Sequence, residues 1–326
     1  MKALVTGATG FIGSHLAEEL GRRRYEVTGL VRKTSHLGEL EKLGVHLIVG
    51  DCRDKPSLEK AVEGMDFVFH LAAVIHAQNW EAYYQANSLG TRNLLEACAE
   101  RNPGLKKLVF VSSISAAGPS EKGIPLKESD PPNPISAYGR SKLLAEEAVL
   151  EYKDRLPVVI LRPPNVLGPR QKELFESIKL IRRKILPLLG TGEPQTSLCY
   201  VGDVADALIL AAENKEATGK VYFLADPKPY AWTDITGAIA ETLGIRFFIL
   251  KVPFSLQMLA AWVSEVSARL TGTSPLLMRK SVIASKKYFW IYDSSKIERE
   301  LGFVPKVSLK EAIEKTIDWY KERGAI

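Results

Sequence analysis

The sequence predicts an α/β fold: a doubly wound parallel sheet with helices on both faces and a small C-terminal lid. Three observations carry this expectation. Short apolar runs alternate with segments of helical spacing from the second residue onward, and such a rhythm builds a parallel sheet covered on both sides. The first run ends in a glycine-rich turn at residues 6–13. After Arg162 the rhythm breaks, where Pro163, Pro164 and Pro169 enforce an irregular course.

Taken in order, residues 2–6 are the first strand and residues 12–20, with apolar positions three and four apart, the first helix. Runs 27–31, 45–49, 66–70 and 108–111 continue the strands, with a helix over 87–100 before the last of them. Residues 136–152 read as a helix and 157–161 as the strand after it. Beyond the prolines come helical residues 174–184, a glycine-bearing loop and a helix over 200–212. Residues 221–224 read as a buried strand that returns to the sheet, and 233–243, 255–270, 294–301 and 309–322 as helices. Residues 1–165 are therefore expected to form the main domain, joined by the late strand. Residues 166–326 should be mostly a discontinuous substrate-binding lid.

With 46% hydrophobic and 25% charged residues the chain has the balance of a folded globular protein. No apolar stretch reaches the roughly 18–20 residues of a membrane span. The nearest, 252–270, is interrupted by Glu265 and Arg269. Residues 255–270 read as part of a substrate lid, so no stable membrane insertion is expected, and the protein should stay in the soluble fraction without detergent. Met1 runs straight into a strand, which predicts no secretory leader. Cys52, Cys98 and Cys199 have neither disulfide nor zinc spacing, so a cytoplasmic protein without a metal site is expected. The net charge of +6 reads as scattered lysines and arginines, a mild pull on anionic ligands and not a nucleic-acid footprint.

The turn Thr6-Gly7-Ala8-Thr9-Gly10-Phe11-Ile12-Gly13 stands between a strand and a helix. Glycine lets backbone approach a pyrophosphate without a Cβ collision, and the helix presents N–H groups and the positive end of its dipole. A strand–turn–helix with this spacing points to a Rossmann-type dinucleotide site. The tip of the second strand reads Leu30-Val31-Arg32-Lys33-Thr34-Ser35. It lacks the acid that holds the ribose diol of NAD, and Arg32 can offer a planar fork to the extra phosphate of NADP. NADP is the expected cofactor, with NAD the alternative.

The order of motifs resembles the extended short-chain dehydrogenases/reductases, the NAD-dependent epimerase/dehydratase-like group. They are the loop at 6–13, Asp51 after strand three, His70-Leu71-Ala72-Ala73, Asn87-Ser88-Leu89-Gly90-Thr91, Val111-Ser112-Ser113 and Tyr138-Gly139-Arg140-Ser141-Lys142. Leu161-Arg162-Pro163-Pro164-Asn165 and Tyr200-Val201-Gly202-Asp203 follow. The resemblance implies that Gly7, Gly10, Phe11, Ile12 and Gly13 hold the pyrophosphate and that Asp51, beside Cys52, meets the adenine. It implies that Leu71, Ala72 and Ala73 let the cofactor lie against the strand end, and that Pro163 contacts the carboxamide through its backbone. Asn87 and Asn165 would line the junction with substrate, and His76, with Trp80 and Tyr83, would stand where a substrate can stack. Ser113 would hold the substrate oxygen.

The chemistry of Tyr138 and Lys142 also follows from their spacing. Residues i and i+4 share one helix face, and a nearby ammonium stabilises phenolate, lowering a tyrosine pKa from near 10. Tyr138 is thus the expected proton donor to a carbonyl, or base toward an alcohol. Lys142, by analogy with the family, also holds the nicotinamide ribose.

Departures from the family pattern narrow the substrate. Nucleotide-sugar dehydratases carry Asp-Glu after the catalytic hydroxyl, where this chain has Ile114 and Ser115. Many nucleotide-sugar epimerases place a diphosphate-holding arginine where this chain has Thr196, although Arg170, Lys172 or Arg182 stand nearby in sequence. Leu198, Phe254, Met258, Leu259 and Trp262 favour a less polar ligand, and the pattern resembles the dihydroflavonol reductase and 3β-hydroxysteroid dehydrogenase branch. The expectation is a reductase/dehydrogenase moving hydride between NADP(H) and a ketone or secondary alcohol of a fairly hydrophobic or cyclic substrate, homodimeric through helices 87–100 and 136–152. The rivals are a nucleotide-sugar epimerase with tightly held NAD and a non-catalytic dinucleotide sensor.

Overall fold

The structure is a computed structural model describing residues 1–182, 184–188, 194–271, 279, 282–283 and 287–326. It opens with β1 (Lys2–Thr6), α1 (Phe11–Arg22), β2 (Glu26–Val31), β3 (His46–Val49), α2 (Lys55–Val62) and β4 (Phe67–His70). α3 (Trp80–Tyr83) follows, then a π-helical turn at Tyr84–Leu89, and α4 (Gly90–Arg101). β5 (Lys107–Val111), α5 (Ile114–Ala117), α6 (Ala137–Glu151) and β6 (Val158–Arg162) complete the first half.

The seven-stranded sheet runs β11-β6-β5-β4-β1-β2-β3, where β11 is Val221–Phe223, and every pair in it is parallel. β4, β5 and β6 are buried at every position, so their sequences read as unbroken apolar runs and not as alternation. β1 pairs with β2 on one side and β4 on the other. The strand order reverses there, and such a switch point opens a crevice at the carboxyl ends of the strands.

The second half contains β7 (Asn165–Leu167), α7 (Lys172–Arg182), β8 (Ile185–Leu188), β9 (Gln195–Thr196), β10 (Leu198–Tyr200) and α8 (Val201–Glu213). After β11 come β12 (Tyr230–Ala231), α9 (Trp232–Leu243), β13 (Phe248–Lys251), α10 (Phe254–Thr271), α11 (Ser295–Leu301) and α12 (Leu309–Glu322). Arg183 and the loop glycines 190 and 192 lie outside the described residues. One face of the sheet packs on α1, α8 and α11 through Leu16, Leu20, Val204, Leu208 and Ile297. The other packs on α2, α4 and α6 through Leu58, Leu94, Leu95 and Val149. A third cluster joins α7, α9 and α12 with Leu167 and Leu198.

The helix expected over 87–100 differs in the structure: helical geometry starts at Trp80, and α4 proper begins only at Gly90. The π turn between them inserts an extra residue into the helical ladder, a feature often found at functional positions. Asn87 in that turn is clamped from two sides, which holds the irregular geometry. On the outer edge of β11 two backbone groups are taken by side chains. Phe223 N donates to Glu128 Oε1 (2.9 Å) and Lys296 Nζ donates to Val221 O (2.9 Å).

Candidate active site

The glycine loop occupies the crevice at the end of β1. Gly7 has φ +70°, and a Cβ there would stand 2.7 Å from Ala72 N; a Cβ on Gly13 would stand 2.2 Å from Gly7 O. Both contacts are with backbone, so only glycine lets β1, the end of β4 and α1 meet this closely. α1 starts on Gly10, which offers no side-chain cap, and its first turn holds no acid. Phe11, Ile12 and Gly13 thus open a helix whose N-terminus suits an anion. The cradle fits the pyrophosphate of a dinucleotide.

At the ribose end, Arg32 N donates to Ser35 Oγ (3.0 Å), fixing a turn after β2. Asp51 is gripped by Arg53, whose Nε and Nη2 donate to its two oxygens at 3.1 and 2.7 Å. These bonds hold the Asp51 carboxyl below its ordinary range, and the charge of Arg32 adds to the effect. The Arg53 guanidinium therefore forks this carboxylate directly. Arg53 is the residue that the sequence reading missed, although an arginine two residues beyond a strand-end aspartate is a local signal. Burial pushes the Cys52 thiol up to about 12, leaving it neutral, and Cys52 O accepts from Asn93 Nδ2 at 3.0 Å.

Tyr138 and Lys142 stand one turn apart on α6, which Ser136 caps by accepting from Gly139 N. A Cβ on Gly139 would stand 2.2 Å from Ser115 O, so the helix packs directly against the α5 segment carrying Ser113. The Ser113 hydroxyl lies near enough to the Tyr138 phenol to favour its ionised form. Burial pushes the Tyr138 phenol up to about 12, which the Ser113 hydroxyl opposes and the neighbouring Tyr83 reinforces. The Tyr83 ring lies 6.4 Å from the Tyr138 ring.

Lys142 is 1% exposed, donates to Val111 O at 2.8 Å and lies 4.1 Å above the Phe110 ring. Burial pulls its amine down to about 7 against the raising influence of Glu146. The expected depression of the phenol by the ammonium is therefore not what this structure shows: burial dominates both groups, raising one and lowering the other. Glu146 itself is forked by Arg162 at 2.9 and 2.6 Å, both side chains buried.

A hydrogen-bonded relay ties the glycine loop to this helix. Ala72 N donates to Thr6 Oγ1, which contacts His70 Nδ1 at 2.7 Å. His70 Nε2 contacts Thr91 Oγ1 at 2.9 Å, and Thr91 in turn donates to Asn87 O at 2.6 Å. Because the Thr91 hydroxyl spends its proton on Asn87, it accepts from His70, which assigns the ring proton to Nε2. Asn87 Nδ2 donates to Ser141 Oγ (2.9 Å) and Val74 O (3.0 Å), while its Oδ1 accepts from Val74 N (2.7 Å). Asn87 is thus buried and fully engaged in holding the 71–76 loop against α6. Pro163 O accepts from Ile114 N at 3.1 Å, linking β6 to the Ser113 turn. Ser112 Oγ is buried with no partner.

The residues expected at the substrate end are only partly gathered. His76 is exposed. Trp80 carries the Arg140 guanidinium 5.4 Å from its ring, and Tyr83 Oη donates to Ile75 O at 3.0 Å. Asn165 Nδ2 donates to Thr196 Oγ1 at 2.7 Å. Arg170 is bound to Glu18 (2.6 Å) and Ser14 (3.2 Å), so it serves α1. Leu198 belongs to the core under α7 and α9. Phe254, Leu259 and Trp262 are exposed and do not form an enclosed apolar wall.

Fold and loop together define a dinucleotide-dependent enzyme of the Rossmann type. The model of the NAD dependent epimerase/dehydratase family matches residues 3–225, and the chain belongs to that family, the extended short-chain dehydrogenases/reductases. It is similar to 2-alkyl-3-oxoalkanoate reductase of Stenotrophomonas maltophilia, with 31% identity over 96% of this chain and 97% of that protein. It is also similar to 3beta-hydroxysteroid-dehydrogenase/decarboxylase isoform 1 of Arabidopsis thaliana, with 29% identity over 99% of this chain and 80% of that protein. Among solved structures, a UDP-glucose 4-epimerase of Thermotoga maritima with UDP-glucose superposes with a TM-score of 0.82 at 26% identity, covering 99% of each chain. Relatives thus divide between reductases and nucleotide-sugar epimerases.

Proposed function

We propose that this chain is an NADP-dependent reductase that converts a ketone on a fairly hydrophobic or cyclic substrate to a secondary alcohol. The carrying observation is the Tyr138 phenol, set beside the Ser113 hydroxyl one turn before Lys142 on α6 and pushed up by burial so that it stays protonated at neutral pH. A protonated phenol beside a second hydroxyl is equipped to donate to a developing alkoxide. The dinucleotide, when bound, supplies the hydride. Ser113 orients the carbonyl oxygen, Tyr138 gives it a proton, and Lys142 holds the cofactor ribose. Arg32 and Arg53 receive the 2′-phosphate that distinguishes NADP. The reductase activity of the Stenotrophomonas relative supports this reading. So do Thr196 at the arginine position of many epimerases and the engagement of Arg170 by Glu18.

The fold likeness to a UDP-glucose 4-epimerase favours a second reading, epimerisation with tightly held NAD. Native mass spectrometry of the purified protein, followed by a ketone and alcohol panel monitored through NADPH absorbance, separates the two. Net NADPH oxidation with a ketone supports the reductase. Copurified NAD, no net exchange and epimerisation of a UDP-sugar replace it with the second reading. We also infer a homodimer through α4 and α6, whose outer faces are joined within one chain by Arg92–Glu151 at 3.0 Å. Sedimentation velocity tests that assembly.

A further inference from the structure

Helix α10 is oriented opposite to an ordinary amphipathic helix. Its inward side is small or polar: Gln257, Ala261 and Ala268 are buried, and Gln257 Nε2 donates to Val252 O at 2.7 Å. At about 100° per residue, Leu256, Leu259, Val263 and Leu270 fall in one arc on the other side. Their exposures are 53, 54, 52 and 83%, and Trp262 at the border of the arc is 49% exposed. No ionisable residue stands in that arc. The acid of this helix, Glu265, is away from it and paired with Arg279 at 2.9 Å.

A second observation concerns charge. Residues 246–287 contain seven lysines and arginines and one glutamate, an excess of six cations over this stretch. A second copy of the chain would bring one such cationic segment against another, an unfavourable pairing. A nucleic acid would meet the cations and leave the apolar stripe in water. An uncharged face of large apolar side chains between cationic flanks matches an anionic bilayer surface in both respects.

We propose that α10 docks peripherally on anionic lipid bilayers. Leu256, Leu259, Val263 and Leu270 would enter the acyl boundary, and the cationic excess of residues 246–287 would draw the segment to anionic headgroups. Docking would be reversible, because no helix among the described residues is long and apolar enough to cross a membrane. The inference stands apart from the choice between reductase and epimerase.

The test is flotation of the full chain with phosphatidylcholine vesicles, with and without phosphatidylglycerol. Binding should appear on the anionic vesicles and weaken as salt rises. The triple variant Leu256→Ser, Leu259→Ser, Val263→Ser should lose on the order of tenfold in vesicle affinity, with circular dichroism and NADPH binding unchanged. These positions are solvent-facing, so folding should survive. Three results overturn the proposal: no flotation, equal binding to both vesicle types, or undiminished binding by the triple variant. Concentration-dependent self-association that the triple variant abolishes also overturns it, and makes a second copy the occupant.

Discussion

Tyr138 and Lys142 carry opposite consequences of burial, and each can be tested alone. Tyr138→Phe keeps the ring and removes the proton donor. Turnover should fall by about 10² to 10⁴ while cofactor affinity and the fold persist; unchanged turnover would exclude Tyr138 as the acid. For Lys142 the pKa falls from 10.5, the ordinary value of a lysine amine, to about 7 in the fold. Between those values the unfolded chain holds the proton more readily, so stability rises with pH through that window, and the full cost of charging is present below about 7. Lys142→Met removes that cost. Its thermal midpoint at neutral pH should stay level or rise while turnover and NADPH affinity drop, and a large fall in midpoint would contradict the burial argument. At the ribose end, Arg32→Ala and Arg53→Ala each remove a charged hydrogen-bond donor, worth about 1.5–3 kcal/mol. Titrations should show NADP weakened roughly ten- to a hundredfold by that loss, with NAD little affected. Equal loss for both cofactors would exclude the phosphate role. Arg32 was legible as a strand-tip cation. The fork of Arg53 on Asp51 was not, because spacing alone does not say where a flexible side chain turns.

Between elements, the relay from Thr6 through His70 and Thr91 to Asn87 joins β1, β4, α4 and α6. Burial, aided by the charge of Lys142, pulls the imidazole down to about 3. The folded-state value is depressed below 6.5, so the stabilisation is complete above 6.5 and is lost as pH falls from there toward 3. The slope is about 1.4 kcal/mol per pH unit for one group. Urea midpoints measured between pH 7 and 4.5 should decline less steeply in His70→Gln than in the parent, and parallel declines would mean that His70 does not govern the acid limb. The strands of this region were legible because both faces of the sheet are covered, which leaves runs such as Phe67–His70 without alternation. The π turn was not: it depends on Asn87 reaching Val74 and Ser141, contacts that no local period encodes. Asn87 had been expected beside the cofactor, whereas its side chain is committed to the scaffold around it.

Across the whole molecule, the sequence announced the doubly wound sheet and its glycine loop because both are set by short-range constraints. The lid was less legible. Apolar spacing over 255–270 revealed a stripe but not which side of α10 it lay on relative to the body of the protein. Only the placement of Gln257 and Ala261 inward shows that the stripe faces out.

The capped edge of β11 limits how copies of this chain can join. An open strand edge is a template on which another chain can add a strand. Glu128 takes the Phe223 N–H and Lys296 takes the Val221 carbonyl, so the sheet is finished on that side as a plank is finished by a moulding. Strand addition on that side is thereby discouraged. In Glu128→Ala combined with Lys296→Ala the fold should remain, but light scattering during gentle heating should rise earlier than in the parent, with thioflavin-positive material. Identical scattering curves would show that the edge needs no such guard.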